Sequence, residues 1–242
     1  MNKSPITFLL LFIVLSLNAQ IKIDKYGAII RSDIKEKTIY LCFSGHDFDE
    51  GFNHVLNVLK QQKITASFFL TGDFIRSHKK LVNEIAALGH FVGAHSDKHL
   101  LYNDWVKRDS LLYTSDRIRN DISTNLRELK HMGIQPKYFM PPYEWYNQEV
   151  VKIAESLNQI TVNFSSGTRS NADYTTPDMS NYISSEAILE SIYTYEELNG
   201  LNGFHLLIHP GTNPLRKDKL YLHLNKLITD LKKKDYQFSK FE

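Results

Sequence analysis

The chain alternates short apolar runs with longer segments of helical periodicity, and this alternation limits its fold more than any other feature. Aromatic and β-branched residues dominate the short runs, as is typical of buried strands. The predicted strands lie at residues 38–43, 66–70, 91–94, 138–140, 160–164, 204–208 and 236–239. Predicted helices lie within residues 55–59, 81–88, 118–129, 150–154, 188–192 and 224–231. This β-then-α order predicts a parallel sheet covered by helices, either an open doubly wound sheet or a closed barrel.

In both folds, ligands bind at the carboxyl ends of the strands. Polar residues that follow an apolar run are therefore the first candidates for a functional site. Residues 167–180 are polar and rich in turn-forming residues, which favours a loop over that site rather than a domain boundary. The sequence contains no internal repeat or interdomain linker, so we expect a single large domain.

The N-terminus has the pattern of a secretory signal peptide. A basic start precedes an apolar run at residues 6–17, and Ala19 provides a small residue before a cleavage point. The run is shorter than the ~20 residues that a membrane-spanning helix needs. We therefore expect residues 1–19 to be a signal peptide, residues 20–36 a lead-in and residues 37–242 the folded domain. The mature chain would be secreted or periplasmic, without a membrane span.

Basic and acidic residues are nearly balanced, at 29 and 27, and give a formal net charge of +2. They are scattered along the chain without a basic block that could follow a phosphate backbone. We therefore expect no nucleic-acid partner.

The strongest chemical signal is a pair of histidines, His95 and His99, directly after the predicted strand at residues 91–94. The spacing alone is a weak signal, because the chain contains ten histidines. Two positions four apart lie on the same side of the chain if the intervening turn is helical. Neutral imidazoles suit a divalent transition metal. The position at a strand end therefore favours a metal site over a surface or core role.

A second polar segment follows the first predicted strand, where residues 43–51 read Phe-Ser-Gly-His-Asp-Phe-Asp-Glu-Gly. Its carboxylate and imidazole groups are suited to supply a third metal ligand and a proton acceptor for an attacking water. A helix start would account for the acidic residues equally well, because carboxylates favour the positive end of the helix dipole. We assign Asp47 to the site, and Asp49 and Glu50 to the start of the following helix.

Two further strand ends carry aromatic or imidazole side chains. Tandem prolines precede Tyr143 and Trp145, whose rings suit the apolar faces of sugars but could equally belong to the core. The strand at residues 204–208 ends before His209, which is placed to act as a general acid. His205 points to a different environment along the same strand, so we expect it to be structural.

These segments, in this order, resemble the polysaccharide deacetylase family, the NodB-homology group that forms carbohydrate esterase family 4. Residues 95–99 match its His-Ser/Thr-x-x-His motif, Pro142-Tyr143 resembles its proline–tyrosine motif, and residues 206–209 resemble its leucine-rich strand that ends in histidine. The similarity runs from residue 37 to the C-terminus. It implies the family's α/β fold, a distorted (β/α)7 barrel with a parallel sheet, which agrees with the seven predicted strands.

The sequence departs from the family pattern at two places that depend on each other. Ser44 and Gly45 replace the two aspartates that follow the family's first strand, one the base and one a metal ligand. Met140 replaces the arginine that holds the base aspartate. An arginine without its carboxylate would be a poorly compensated charge, so the two losses are physically consistent. They indicate a divergent subgroup with its own first-strand motif.

An alternative register aligns residues 48–51 with the family's Phe-Asp-Asp-Gly. This register shortens the spacing between the motif and the second strand by several residues. It also leaves the apolar run that precedes the motif out of line with the family's first strand. We therefore prefer the register in which Asp47 reaches the metal from just past the strand, and in which His46 or a nearby acid accepts the proton.

The resemblance implies a metal-dependent hydrolase that removes N- or O-linked acetyl groups from an acetylated glycan. One divalent transition-metal ion, zinc with nickel or cobalt as alternatives, would be held by Asp47, His95 and His99. His209 would protonate the leaving group, and His46 is the candidate base. The candidate residues for contacting the substrate are Tyr143 and Trp145, and Arg169 and Asp173 are candidates to orient His209 or the substrate.

Two other functions stay open. A catalytically silent carbohydrate-binding protein on the same fold would explain the missing first-strand aspartates, although sugar binding alone needs neither a histidine pair for a metal nor an acid. A metal-dependent hydrolase of a non-carbohydrate amide is a further alternative. The sequence does not separate amide from ester substrates, nor chitin-like glycans from peptidoglycan or xylan.

Overall fold

A computed structural model describes residues 19–242. The apolar run of the predicted signal peptide lies outside the described residues. The strands are β1 Lys22–Ile23, β2 Ile29–Arg31, β3 Thr38–Gly45, β4 Ser67–Leu70, β5 Phe91–Ala94, β6 Tyr138–Phe139, β7 Ile160–Thr161, β8 Phe204–Ile208 and β9 Gln237–Ser239. The helices are α1 Phe52–Gln62, α2 Gly72–Ser77, α3 Lys79–Ala87, α4 Ser115–His131, α5 Gln148–Ser156, α6 Ser185–Asn199 and α7 Leu224–Lys233. Short 3₁₀ turns lie at Pro142–Glu144, Ser170–Ala172 and Leu220–His223.

The strands form one sheet in the order β1-β2-β8-β3-β4-β5-β6-β7, and β9 pairs beside the start of β3. All pairings from β8 through β3 to β7 are parallel, whereas β1 and β2 are antiparallel additions. Ile29 in β2 forms a bridge with Val162 after β7, and its carbonyl accepts the Asn163 amide at 2.9 Å. The sheet therefore curls until its two ends meet, which confirms the distorted (β/α)7 barrel.

All seven predicted strands are present, and β5 and β8 have the predicted bounds. The prediction missed β1 and β2, which bring the lead-in segment into the sheet, because strands of two or three residues are too short to show alternation. It also missed α2, which has six residues and no long apolar pattern. Helix α2 begins after Thr71, whose side chain accepts a hydrogen bond from the Phe74 amide at 3.1 Å.

Alternation along the strands divides the apolar residues between two faces of the barrel wall. The outward face packs against the helices in a large cluster that includes Leu41, Phe43 and Leu206. The inward face forms a smaller cluster inside the barrel, consisting of Cys42, Phe69, Met140, Val162, Leu207 and Phe241. Because side chains two apart share a face, Ser44 continues the inward row past Cys42, and His209 continues it past Leu207. The polar residues at the strand ends therefore converge on the mouth of the barrel.

Within residues 19–242, no helix combines the length and apolar character needed to cross a lipid bilayer.

Candidate active site at the barrel mouth

A cavity of about 440 Å³ lies at the carboxyl ends of the strands. Its lining residues come from the loops after β3, β5, β6, β7 and β8, so the cavity has the position expected for a ligand site in this fold. They are Ser44, Gly45, His46, Asp47, Phe48, His95, His99, Trp105, Tyr143, Glu144, Tyr174, His209 and Gly211. The five predicted catalytic and metal-binding residues therefore line the same cavity: His46, Asp47, His95, His99 and His209.

The two motif histidines meet through a bend rather than through the helical turn that their spacing predicts. Residues 95–99 are not helical, and the left-handed backbone of Ser96 (φ +69°) and His99 (φ +52°) folds the chain back. The two ring centroids are 4.9 Å apart. Asn125 on α4 holds the His95 amide at 2.9 Å, and the Ser96 hydroxyl holds the His99 amide at 3.0 Å. Side chains therefore fix a turn that no regular element would provide.

Both histidines are neutral at pH 7. Burial lowers the pKa of His95 to about 4 and holds the pKa of His99 well below its usual value, and the neighbouring imidazoles add to both effects. His95 Nδ1 donates to the Met140 carbonyl at 2.8 Å, which leaves Nε2 with a free lone pair. Metal-binding histidines commonly donate their second nitrogen to a carbonyl in this way. The pair therefore fits a divalent metal ion.

The loop after β3 places a third imidazole beside this pair. The His46 ring stacks on His99 with centroids 4.6 Å apart. Its Nδ1 lies 3.3 Å from the Thr71 hydroxyl, and its Nε2 lies 3.2 Å from Asp47 Oδ1. The Asp47 side chain is 66% exposed. Among residues 19–242, no three His, Cys, Asp or Glu side chains are arranged to hold a metal ion, so Asp47 does not complete a three-residue ligand set with His95 and His99 in this conformation.

The structure also separates the two possible registers of the first-strand motif. Asp49 lies 3.2 Å from His78, and Glu50 lies 2.8 Å from Lys219, so both acids pair outside the cavity. They also precede α1 instead of forming its first turn, as its bounds show. Asp47 alone of these three acids lines the cavity.

His209 is held by a buried carboxylate from the loop at residues 167–180. Asp173 Oδ1 lies 2.6 Å from His209 Nδ1, and Asp173 Oδ2 accepts the His209 amide at 2.9 Å. Burial alone would lower the pKa of His209, but the charges of Asp173 and Glu144 and the hydrogen bond outweigh it, so the pKa is raised. His209 therefore holds its proton to a higher pH than His95 and His99 do. The predicted structural residue His205 is fully buried, with ring nitrogens bonded to Asn163 and Ser32, each at 2.8 Å.

The tandem prolines lead into a turn that projects Tyr143 and Glu144 into the cavity. Both residues have left-handed backbones, with φ of +58° and +53°, at a cost of roughly 1–2 kcal/mol each. Enclosure of the Glu144 carboxyl raises its pKa to about 7. The sequence prediction missed Glu144, although an acid directly after Pro-Pro-Tyr at a strand end was a visible signal.

An aromatic wall borders the cavity, but its members differ from those predicted. Tyr143 and Trp105 line the cavity, with ring centroids 5.8 Å apart. Trp145 lies behind Trp105 at 5.4 Å, where the Arg108 guanidinium stacks on it at 3.8 Å. Trp145 therefore supports the wall instead of facing the cavity. The predicted Arg169 is exposed and is not among the cavity-lining residues.

The fold and these motifs belong to a known family. The family model for polysaccharide deacetylase matches residues 31–162, which is more than half of the chain. The protein therefore belongs to the polysaccharide deacetylase family, as its motifs predicted.

Individual relatives are similar over different parts of their length. The chain is 34% identical over 143 residues to peptidoglycan-N-acetylmuramic acid deacetylase PdaA of Bacillus subtilis, covering 58% of this chain and 51% of that protein. It is 26% identical over 203 residues to a peptidoglycan-N-acetylglucosamine deacetylase of Bacillus cereus, covering 84% and 85%. The chain thus spans about half the length of the first relative.

A solved structure with the same fold is a family 4 pseudoenzyme from Bacillus anthracis. The TM-score is 0.72 at 22% identity, and the match covers 89% of this chain and 67% of that protein. Identity at this level supports the fold and says nothing about activity.

Proposed function

We propose that this protein is a metal-dependent carbohydrate deacetylase that hydrolyses an acetyl group from a glycan. The observation that carries the proposal is the meeting of two kinds of histidine in one cavity. His95 and His99 are neutral, whereas the pKa of His209 is raised. When the environments of neighbouring ionisable groups shift their pKa values in opposite directions, the groups commonly serve different roles in acid–base catalysis.

His95 and His99 are the residues that would hold the metal ion, with zinc as the first candidate and nickel or cobalt as alternatives. Asp47, which lines the same cavity, would complete the ligand set. When bound, such an ion supplies a polarised acetyl carbonyl and a more acidic water.

His209 would protonate the departing sugar nitrogen or oxygen as its bond to the acetyl carbon breaks. Asp173 fixes the imidazole orientation through Nδ1 and leaves Nε2 to face the substrate. Because Asp173 also holds the His209 amide, the backbone and the ring are positioned together.

The substrate would be an acetylated glycan bound along the aromatic wall. Trp105 and Tyr143 offer exposed ring faces beside the cavity, 55% and 45% exposed respectively. Both relatives described above are named as peptidoglycan deacetylases, so N-acetylated peptidoglycan is the first substrate to test. The predicted signal peptide is consistent with a substrate outside the cytoplasm.

A silent carbohydrate-binding protein is the second candidate, because Ser44 and Gly45 occupy the positions of the family's two aspartates. Against it stands the buried His209–Asp173 pair, since sugar binding alone gives no reason to hold an imidazole against a buried carboxylate in the cavity.

The deciding experiment measures acetate release from N-acetylated peptidoglycan, chitooligosaccharides and O-acetylated xylan, with the metal-loaded protein and after chelation. We expect release from at least one substrate, its loss on chelation and its return when zinc is added. A protein that binds these glycans and releases no acetate from any of them would be the silent binding protein. Release that survives complete metal removal would refute metal dependence alone.

A further inference from the structure

One carboxyl group in the cavity, that of Glu144, has no role in the reaction described so far. Its side chain lines the cavity and forms no hydrogen bond or ion pair with any residue in the range 19–242. The other acids near the cavity do have partners, since Asp47 contacts His46 and Asp173 contacts His209. Glu144 is therefore free to act on a bound molecule.

The backbone holds Glu144 in place at two points. Its amide donates to the Pro141 carbonyl at 3.1 Å, and its carbonyl accepts from Asn163 Nδ2 at 3.1 Å. The left-handed conformation continues over Tyr143 and Glu144, neither of which is a glycine. Strained backbone of this kind persists where the surroundings over-determine it and is concentrated at functional sites. The turn thus holds a carboxyl group at the cavity wall.

The negative charge of Glu144 contributes to raising the pKa values of His209 and Tyr174, both of which line the same cavity. Its own pKa, raised to about 7 by enclosure, suits a group that gains and loses a proton near neutral pH. A carboxyl group kept near its protonation point, in the same cavity as an imidazole whose pKa is raised, has the arrangement of a base and its acid partner.

The base predicted from the sequence, His46, is less available. Its Nδ1 lies 3.3 Å from the Thr71 hydroxyl and its Nε2 lies 3.2 Å from Asp47, so both ring nitrogens already face a partner. Accepting a proton from water requires a free lone pair. Ser44 and Gly45 offer no acid at the end of β3 either.

We propose that Glu144 is the general base of this deacetylase, supplied from the loop after β6 in place of an acid after β3. This assignment rests on the proposed deacetylase function. The Glu144 carboxylate takes a proton from the attacking water while the water oxygen bonds to the acetyl carbon and the carbonyl electron pair moves to its oxygen. That pair then re-forms the double bond, the acetyl carbon separates from the sugar nitrogen or oxygen, and His209 gives its proton to the leaving atom. Acetate and the free sugar group are the products, and Glu144 loses its proton to solvent as His209 regains one.

The test compares three variants on a substrate that the parent deacetylates, N-acetylated chitooligosaccharide or peptidoglycan. Glu144→Gln keeps the shape of the side chain and removes its basicity. Glu144→Gly leaves space for a small ion and accepts the left-handed backbone without strain. Glu155→Gln is the matched control, because Glu155 is exposed on α5. Acetate release, bound metal and melting temperature are measured for each, with and without added formate.

We expect Glu144→Gln and Glu144→Gly to lose ~10²–10⁴-fold in turnover, the usual contribution of a positioned base, with bound metal unchanged. Formate should restore part of the turnover of Glu144→Gly and none in Glu144→Gln, because only the glycine variant leaves room for an external carboxylate. The control should match the parent.

Three outcomes would overturn the assignment. Undiminished turnover in Glu144→Gln would leave the deacetylase function standing and refute the base. Loss of bound metal in both Glu144 variants would make Glu144 a metal ligand instead. A parent that releases acetate from no substrate would remove the proposed function, and the base with it.

Discussion

The two sides of the barrel mouth differ in the direction in which the pKa values of their ionisable groups are shifted. The imidazole side, built after β3 and β5, consists of His46, His95 and His99; the His46 ring stacks on His99, and the His95 ring lies 4.9 Å from His99 at a tilt. The acid side, built after β6, β7 and β8, consists of Glu144, Asp173 and His209. Burial keeps His95 and His99 neutral, whereas on the acid side the pKa values of Glu144 and His209 are both raised.

This difference indicates that the two sides of the barrel mouth have separate chemical roles. Neutral imidazoles with free lone pairs suit a metal, and groups poised to exchange protons suit the chemistry of the substrate. The family pattern places its base after the first strand, where this chain has Ser44 and Gly45. We therefore expect the acid side to carry the proton-transfer groups, and variants of the two sides to lose different functions.

Removing the imidazole side should have the largest effect. The double variant His95→Ala, His99→Ala should lose tight metal binding and all acetate release, because no outer residue replaces two ligands. Elemental analysis of the purified protein measures the metal. The matched control is His131→Ala, His223→Ala, which changes two exposed histidines. If the first double variant retained as much metal as the parent, the metal site would lie elsewhere.

Removing the acid from the other side should leave the metal in place. His209→Ala should lose ~10²–10⁴-fold in turnover, because the imidazole donates its proton as the bond breaks and contributes little to ground-state binding. Metal content and glycan affinity should stay close to those of the parent. A parallel fall in melting temperature, glycan affinity and turnover would instead mark His209 as a structural residue.

Variants of Asp47 and Asp49 test which of the two carboxylates completes the proposed metal site on the imidazole side. Asp47→Asn should weaken metal affinity by at least ~10-fold, whereas Asp49→Asn should not, because Asp49 pairs with His78 outside the cavity. Competition against a metal indicator dye measures both. The opposite ranking would favour the other register of the motif.

The acid side should also set the alkaline limit of activity. Asp173 contributes to the raised pKa of His209, so kcat/KM should fall as pH rises through that raised value. In Asp173→Asn the pKa of His209 drops, and the alkaline limb should move to lower pH. The same pair should stabilise the fold fully below the unfolded pKa of about 6.5, and this stability should be lost as pH rises through the folded value. If Asp173→Asn did not move the alkaline limb, the titration of His209 would not control the rate.

The sequence predicted the site residues that directly follow regular strands. His95 and His209 directly follow β5 and β8, so their convergence follows from the parallel sheet. The sequence could not predict how His99 returns to His95, because the bend depends on left-handed backbone and on hydrogen bonds that the His95 and His99 amides donate to Asn125 and Ser96.

Glu144 was missed for a similar reason. Its place after Pro-Pro-Tyr at a strand end was a visible signal, but an isolated acid has no periodicity, and the turn geometry is what brings it into the cavity. The aromatic wall depends on contacts between distant loops, so the sequence pointed to Trp145 and not to Trp105.

The smallest expected effect separates these two tryptophans. Trp105→Ala should weaken glycan affinity several-fold, since an aromatic contact contributes about 0.5–1.5 kcal/mol, while bound metal stays unchanged. Trp145 donates its ring N–H to the Asp104 carbonyl at 3.2 Å and stacks on Arg108, so Trp145→Phe should retain the stacking and lose only that hydrogen bond. We expect it to lower the melting temperature slightly and to leave glycan affinity nearly unchanged. Isothermal titration with an unreactive glycan analogue and thermal melts measure the two effects. If Trp145→Phe weakened glycan binding more than Trp105→Ala, the sugar would lie against Trp145, and the wall would have to rearrange on binding.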